Sequence, residues 1–156
     1  KVDIEGIKIR DIFIKPENSS LRCISINAEK KMIQRINKAA KEGDTLGGIF
    51  EVIAVGVVPG IGSYIQWDKR LDTALAGAVM SIPGIKGVEI GLGFGMAGLP
   101  GSKVHDSIYY KKPFGFYRKT NRSGGIEGGI SNGEPVRLRA VMKPIATLGK
   151  PPDSVN

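Results

Sequence analysis

Glycine is concentrated in one segment that could hold a phosphate or a flat ring. Residues 120–133 read TNRSGGIEGGISNG. Paired glycines let the backbone turn with its N–H groups directed into one concavity, and the missing Cβ leaves room for a ligand. The segment has neither dinucleotide-binding nor Walker spacing. A hairpin with tight turns is therefore the favoured interpretation, and an anion or flavin cradle is the alternative.

A second candidate follows a predicted strand near the end of the chain. Lys143, Pro144, Ile145, Ala146 and Thr147 offer a flexible cation, a rigid turn, main-chain N–H groups and a hydroxyl within five residues. These are the parts that hold a phosphate. A strand-end lysine followed by a loop proline is the simpler interpretation.

One histidine offers limited scope for acid–base or metal chemistry. His105 precedes Asp106 and could exchange a proton near neutral pH. The absence of a second histidine argues against a His-based zinc site, and a lone Cys23 excludes an internal disulfide or a cysteine cluster. We therefore predict no metal site and interpret His105 as an exposed loop residue.

Positive charge defines the class of partner. Lysine and arginine exceed aspartate and glutamate by 23 − 15 = +8, so the surface attracts polyanions or phosphorylated small molecules. Residues 103–122 mix aromatic side chains with six basic residues and one acid. This mixture suits single-stranded nucleic acid as well, although no RRM, KH or zinc-knuckle pattern supports that alternative.

Length and composition predict one globular domain over residues 1–156. The 156 residues are 41% hydrophobic, and no apolar run approaches the roughly 20 residues of a membrane-spanning helix. No leader pattern is visible at the first residues. We expect a cytoplasmic protein with no membrane partner.

Periodicity predicts strands alternating with two helices, an α+β class. Strands are predicted over residues 2–14, 45–58, 85–94 and 136–142, with 45–58 as a buried central strand. Helices are predicted over 28–42, capped by Asn27 and ended by Gly43, and from Leu71, capped by Asp68 and stopped by Pro83. Residues 103–122 are predicted as a long, partly ordered loop.

Four of these segments together resemble the chorismate synthase family. They are GDTLGGIFEV (43–52), MSIPGIKGVEIG (80–91), TNRSGGIEGGISNG (120–133) and KPIAT (143–147), in the family's order and spacing. The resemblance covers most of the chain from about Ala28 to Val155. The TLGG and GSKVHD segments are similar to the Gram-positive and thermophile branch of the family.

The resemblance implies a lyase of the shikimate pathway of aromatic amino acid biosynthesis. Such an enzyme converts 5-enolpyruvylshikimate 3-phosphate to chorismate by 1,4-elimination of phosphate and requires reduced FMN, with NADP associated in some members. The implied fold is a β-α-β sandwich, incomplete in this chain, and the implied assembly is a homotetramer. A ligand set with two phosphates and two carboxylates is consistent with the basic charge.

The same resemblance implies cofactor-binding residues at matching positions. Pro83 and Gly84 would line the flavin site, Gly128 would lie against the flavin, and Lys143 with residues 144–147 would wrap the cofactor. Many relatives carry a polar residue at the position of Pro83, so only main-chain or packing contact is expected there.

Several family motifs have no counterpart in the sequence. The Gly-Glu-Ser-His-Gly, Ser-Ala-Arg and Arg-His-Asp motifs do not occur, and His105 matches neither catalytic histidine of the family. The resemblance therefore predicts a central to C-terminal portion of a chorismate synthase with no catalytic residue of its own. A nucleic-acid-binding module and an inert structural fragment are the alternatives.

Overall fold

The computed structural model describes residues 3–4, 7–150 and 152–153. Its internal contacts divide the chain into two compact units. The helical unit comprises Lys1–Leu46 with Ile145–Asn156, and the sheet unit comprises Gly47–Pro144. The expectation of one domain over residues 1–156 stays a prediction.

The helical unit begins with a short antiparallel pair, β1 (Asp3–Ile4) and β2 (Ile7–Lys8), followed by helices α1 (Ile9–Ile14) and α2 (Ile26–Glu42). The strand prediction over 2–14 is wrong from Ile9 onward, while Val2, Glu5 and Gly6 lie outside the described residues. The spacing of Ile9, Ile12 and Phe13 also fits a helical period, and here helix formation prevails.

Helix α2 is bounded by two caps. The Ser25 side chain accepts a hydrogen bond from the Ala28 amide, so Ser25 and not Asn27 is the N-cap. Gly43 ends the helix at φ 71°, as predicted. The basic side chains of α2 are exposed, and of its apolar side only Ala39 is buried.

The sheet unit contains the remaining elements. They are β3 (Gly48–Ala54), α3 (Leu71–Met80), β4 (Ile85–Ile90), β5 (Ile108–Lys111), β6 (Gly115–Arg118), β7 (Ile126–Glu127), β8 (Ile130–Ser131) and β9 (Val136–Met142). No helix among the described residues is both long and apolar enough to cross a bilayer.

Strand β9 is the centre of a three-stranded antiparallel sheet in the order β3-β9-β4. The bounds of β9 agree with the prediction over 136–142. The prediction of a buried central strand over 45–58 is wrong, because β3 is an edge strand and Ile49 is 74% exposed. The β-branched and apolar residues of this segment favour a strand, but they do not determine whether the strand lies at the centre or at the edge of the sheet.

The core lies between α3 and one face of this sheet. Ile85, Leu138 and Ala140 are 2–4% exposed, and Leu75 and Val79 of α3 pack against them. Burial alternates along the first half of β9, so its intervening residues, including Arg137 and Arg139, lie on the opposite face.

Three further expectations are corrected in the sheet unit. Asp68 lies in a separate 3-10 turn and does not cap α3, whose first residue is Leu71. The strand predicted over 85–94 ends at Ile90, because Gly93–Gly98 forms a 3-10 helix. The loop predicted over 103–122 contains the β5–β6 hairpin, in which the Tyr109 and Tyr117 rings stack.

Candidate ligand-binding cavity

The glycine-rich segment forms the β7–β8 hairpin and the turns on either side of it. Its five glycines all have positive φ, at Gly124, Gly125, Gly128, Gly129 and Gly133. L-residues with a side chain rarely adopt this conformation. The interpretation as a hairpin with tight turns is therefore confirmed.

The loop over residues 120–125 lies directly against the end of β4. A Cβ built on Gly91 would be 2.1 Å from the Arg122 carbonyl oxygen, and one on Gly124 would be 2.3 Å from the Gly91 nitrogen. No side chain fits between the two backbones. The Leu92 amide donates to the Arg122 carbonyl at 2.9 Å, and the Arg137 amide of β9 donates to the Gly124 carbonyl at 3.1 Å.

A buried carboxylate holds the other side of the same loop. Asp106 is 9% exposed, and its Oδ1 accepts hydrogen bonds from the Thr120 hydroxyl and, at 3.0 Å, from the Arg122 amide. Its Oδ2 accepts from the Ser123 amide at 2.9 Å. Burial raises the pKa of Asp106, but these hydrogen bonds lower it by more, so the pKa lies below its ordinary value.

The loop and the hairpin wall a cavity of about 470 Å³. Its apolar walls are Ile90, Met96, Val104 and Ile126, and its other walls are Asp72, His105, Ser123, Glu127 and Gly128. Ligand pockets in proteins have volumes of about 300–1,000 Å³ and combine apolar walls with a few polar groups in this way. The cavity is therefore of a size and lining that suit a small molecule with a partly apolar surface.

Both carboxylates of the cavity are paired with arginines. Arg70 donates from Nε to Asp72 Oδ1 at 2.9 Å, and its second nitrogen contacts Asp72 Oδ2. This hydrogen bonding lowers the pKa of Asp72 more than burial raises it. Arg118, whose side chain is 8% exposed, donates to Glu127 at 2.8 Å. The carboxylates are thereby neutralised locally, so the walls need not repel an anionic ligand.

The structure brings some of the predicted cofactor residues together. Pro83 and Gly84 follow the C-terminal end of α3, and the Lys143 amide donates to the Gly84 carbonyl at 2.8 Å. Pro144 follows as the last residue of the sheet unit. This end of the sheet therefore presents the Pro83–Gly84 turn and an exposed Lys143 side by side.

Gly128 lies at the opposite end of α3. The neighbouring Gly129 carbonyl accepts a hydrogen bond from the amide of Leu71, the first residue of that helix. Ten residues of α-helix are about 15 Å long, so Gly128 and the Pro83–Gly84 turn are separated by roughly that length.

The remaining predicted residues, Ile145, Ala146 and Thr147, belong to the helical unit. Within that unit the Ile145 carbonyl accepts a hydrogen bond from the Thr45 hydroxyl at 2.7 Å. Their roles as cofactor ligands stay predictions.

Other residues of the cavity were not found from the sequence. His105 is exposed, as expected, yet its side chain lines the cavity. Asp72 and Met96 come from segments whose patterns indicate only a helix and a glycine-rich loop. Arg70 and Asp72 carry opposite charges two residues apart in the sequence. Such charge pairs are frequent on protein surfaces and do not by themselves indicate a ligand site. No group of three or more metal-ligating side chains occurs in the described part of the chain.

The chain thus combines an α+β fold with a glycine-rich hairpin that lines a cavity of ligand size. A sequence model described as chorismate synthase matches residues 2–156. The chain therefore belongs to the chorismate synthase family, and the resemblance stated above is confirmed.

Named relatives and a solved structure agree with this assignment. The chain is 57% identical over 152 residues to a chorismate synthase from Desulforamulus reducens, covering 97% of this chain and 39% of that protein. A chorismate synthase from Caldanaerobacter subterraneus subsp. tengcongensis is 56% identical over 153 residues, covering 98% and 44%. The chain thus spans about two fifths of these relatives.

A crystal structure titled as that of chorismate synthase matches with a TM-score of 0.83 and 47% identity. The match covers 86% of this chain and 40% of the solved chain. The α+β class and the incomplete sandwich of chorismate synthase type are confirmed.

Proposed function

We propose that the protein carrying this chain is a lyase that converts 5-enolpyruvylshikimate 3-phosphate to chorismate with reduced FMN. The reaction eliminates phosphate and a ring proton and belongs to the shikimate pathway. Identity of 51–57% to proteins named chorismate synthase, across nearly the whole chain, carries this proposal. We place the enzyme in the cytoplasm, with a small-molecule substrate and with neither nucleic acid nor membrane as partner.

The cavity supports a flavin as cofactor. The apolar side chains of Ile90, Val104 and Ile126 suit the face of a flat ring, while His105 and Ser123 offer polar contacts at its edge. Apart from Gly128 itself and its two chain neighbours, none of the described residues has an atom within 4 Å of the place where a Cβ of Gly128 would be. A side chain there would extend into this open space, so glycine keeps it available to a ring.

When held by this site, reduced FMN would supply transient electron donation to the substrate and assistance in removing the ring proton. The residues of this chain are proposed to bind and orient. Lys143 offers an exposed ammonium group beside the Pro83–Gly84 turn, where it can neutralise a phosphate or carboxylate. Pro144 of the same unit is proposed as a further cofactor residue, and Ile145, Ala146 and Thr147 are proposed as cofactor residues of the helical unit.

The separation of Gly128 from Lys143 bears on how the ligands are held. One subunit presents the two groups at opposite ends of α3, so we assign Gly128 to the ring and Lys143 to an anionic group. A homotetramer, which we propose for the complete enzyme, offers a second route, in which these surfaces come from different copies. No residue of this chain is proposed as a proton-transfer group.

The test uses the full-length polypeptide that contains this sequence, after its intact mass has been measured. We expect FMN to bind with a change in its visible spectrum and the phosphate-elimination assay with reduced FMN to proceed. Lys143→Ala should weaken FMN binding about tenfold, the loss of one charge-assisted contact, whereas Lys111→Ala on the β5–β6 hairpin should not.

Two results would contradict the proposal. The first is an intact protein that neither binds FMN nor eliminates phosphate. The second is tight binding of single-stranded oligonucleotides that weakens steeply with salt, which would favour the nucleic-acid alternative.

A further inference from the structure

Asp106 is not among the residues assigned to the cofactor, yet hydrogen bonds hold its carboxylate closely beside the cavity. Its carboxylate is buried and accepts from one hydroxyl and two main-chain amides, all from the loop over residues 120–125. An ionised carboxylate only accepts hydrogen bonds, so this set of donors selects the charged form. The donors are uncharged and come from the chain itself.

Two walls of the cavity depend on this contact. His105 precedes Asp106 in the chain, and Ser123 donates its amide to the Asp106 carboxylate. Both line the same cavity. The hydrogen bonds of Asp106 therefore fix the distance between two polar walls that no regular element joins directly.

The opposite side of the loop has its own supports, so the loop can stay folded while its outer edge shifts. The Asn121 side chain donates to the Pro135 carbonyl at 2.7 Å and accepts from the Gly125 amide at 2.8 Å. The Arg137 amide donates to the Gly124 carbonyl. These contacts hold the base of the loop, whereas Asp106 holds Arg122 and Ser123.

We propose that Asp106 is a positioning residue for the cavity, holding residues 120–123 so that His105 and Ser123 face a bound ligand. That this ligand is a flavin rests on the function proposed above. Asp106 does not line the cavity, and its hydrogen bonds are to the loop, so it would act through His105 and Ser123.

Asp106→Asn is the informative variant. It keeps the size of the side chain but replaces one acceptor oxygen by an NH₂ group, which would face a main-chain N–H or the Thr120 hydroxyl. A buried donor without an acceptor is costly, so the loop should move away. Thr120→Val removes only the hydroxyl contact and should have a smaller effect. Asp68→Asn, at an exposed carboxylate in the same unit, is the matched control.

The experiment has one arm without flavin and one with it, both on the full-length polypeptide. Limited trypsin digestion reports cleavage after Arg122, with cleavage after the exposed Lys86 as internal reference. FMN titration followed by visible absorbance reports affinity and the environment of the ring. Thermal unfolding identifies any variant that fails to fold.

Asp106→Asn should raise cleavage after Arg122 relative to cleavage after Lys86. It should also lower the affinity for FMN about tenfold, the effect of losing one hydrogen bond to a charged group, and alter the spectrum of bound FMN. Thr120→Val should follow in the same direction, and Asp68→Asn should match the parent. Unchanged cleavage in both Asp106→Asn and Thr120→Val would overturn the proposal. Increased cleavage with unchanged FMN affinity and spectrum would overturn it equally.

Failure of the proposed function has a different signature. If the parent protein binds no FMN, the proposed cofactor is wrong. The ratio of cleavage after Arg122 to cleavage after Lys86 then still tests whether Asp106 holds the loop. If Asp106→Asn does not fold, Thr120→Val supplies both readouts.

Discussion

At the scale of single residues, Gly128 combines two properties that a substitution can separate. Its φ of 59° disfavours any side chain, and the space in front of its Cα is open and belongs to the cavity. We expect Gly128→Ala to weaken FMN binding about tenfold or more, since one misplaced methyl group in a pocket has at least that effect. Its free energy of unfolding should fall by about 1 kcal/mol from the strained φ.

Gly56→Ala is the control for strain alone. Gly56 has a φ of 73° and open space at its Cβ, but it does not line the cavity. It should show a similar fall in the free energy of unfolding with unchanged FMN titration. Equal affinity in both variants would remove Gly128 from the ligand site.

The Asp106 carboxylate should make stability depend on pH. Its folded-state pKa lies below the ordinary 3.8, so its stabilisation is complete above that value and is lost as the pH falls below it. The difference in free energy of unfolding between the parent and Asp106→Asn should therefore shrink from pH 6 to pH 3. Urea titrations at several pH values measure this difference, and a constant difference would contradict the assignment.

At the scale of elements, the packing of α3 on the sheet forms the buried core of the sheet unit. Leu138 of β9 is 4% exposed and lies in the core cluster with Ile85 and Ala140. Leu138→Ala should lower the free energy of unfolding by about 2–5 kcal/mol. Val141 lies near the end of β9 and is 40% exposed. Val141→Ala should therefore lower the free energy of unfolding by less than about 1 kcal/mol. Similar urea midpoints for the two variants would contradict this placement of the core.

The N-terminus of α2 provides a second test at this scale. Ser25→Ala removes the cap and should cost about 1 kcal/mol, whereas Asn27→Ala, inside the first turn, should cost nothing or stabilise slightly. Thermal unfolding followed by circular dichroism compares the two. A larger loss of stability in Asn27→Ala than in Ser25→Ala would indicate that Asn27 is the cap.

Local patterns predicted those elements whose limits depend on local chemistry. Gly43 ends α2 because glycine accepts a left-handed φ, and the alternation in β9 reflects its two different faces. The place of β3 at the sheet edge was not predictable in this way, because it depends on β9, more than 80 residues later. At Ile9 the cause is local, because the spacing of the apolar residues fits both a helical and a strand period.

The residues of the candidate site likewise fall into those suggested by the sequence and those found only in the structure. The family resemblance supplied Gly128 and Lys143, because the glycine pairs and the lysine–proline turn by themselves favour a plain hairpin and a strand-end loop; the ligand-binding role of both residues stays a prediction. Asp72, Met96 and Val104 were not, because only the folded chain places them around the cavity with His105. Nothing in the sequence signals that three separate segments meet there.

At the scale of the whole molecule, large apolar side chains are exposed in several places. Trp67, Phe94 and Phe116 of the sheet unit are 75–82% exposed. Contiguous exposed apolar patches mark sites of association, and Phe116 lines one surface pocket together with the exposed Ile108 and Phe114. We expect the 156-residue polypeptide, prepared alone, to sediment above its 16.7 kDa mass and to bind a hydrophobic dye. Sedimentation at 16.7 kDa without dye binding would contradict this expectation.

The central position of β9 has a consequence for synthesis on the ribosome. Its partners β3 and β4 do not pair with each other, and Arg137 meets Glu51 across 86 residues of sequence. At roughly 5–20 residues per second, translation leaves β3 waiting about 4–17 s for its partner. During that interval two strands emerge with unpaired edges and α3 lacks Leu138 to pack on. A nascent chain stopped before Val136 therefore carries both outer strands of the sheet and nothing to join them.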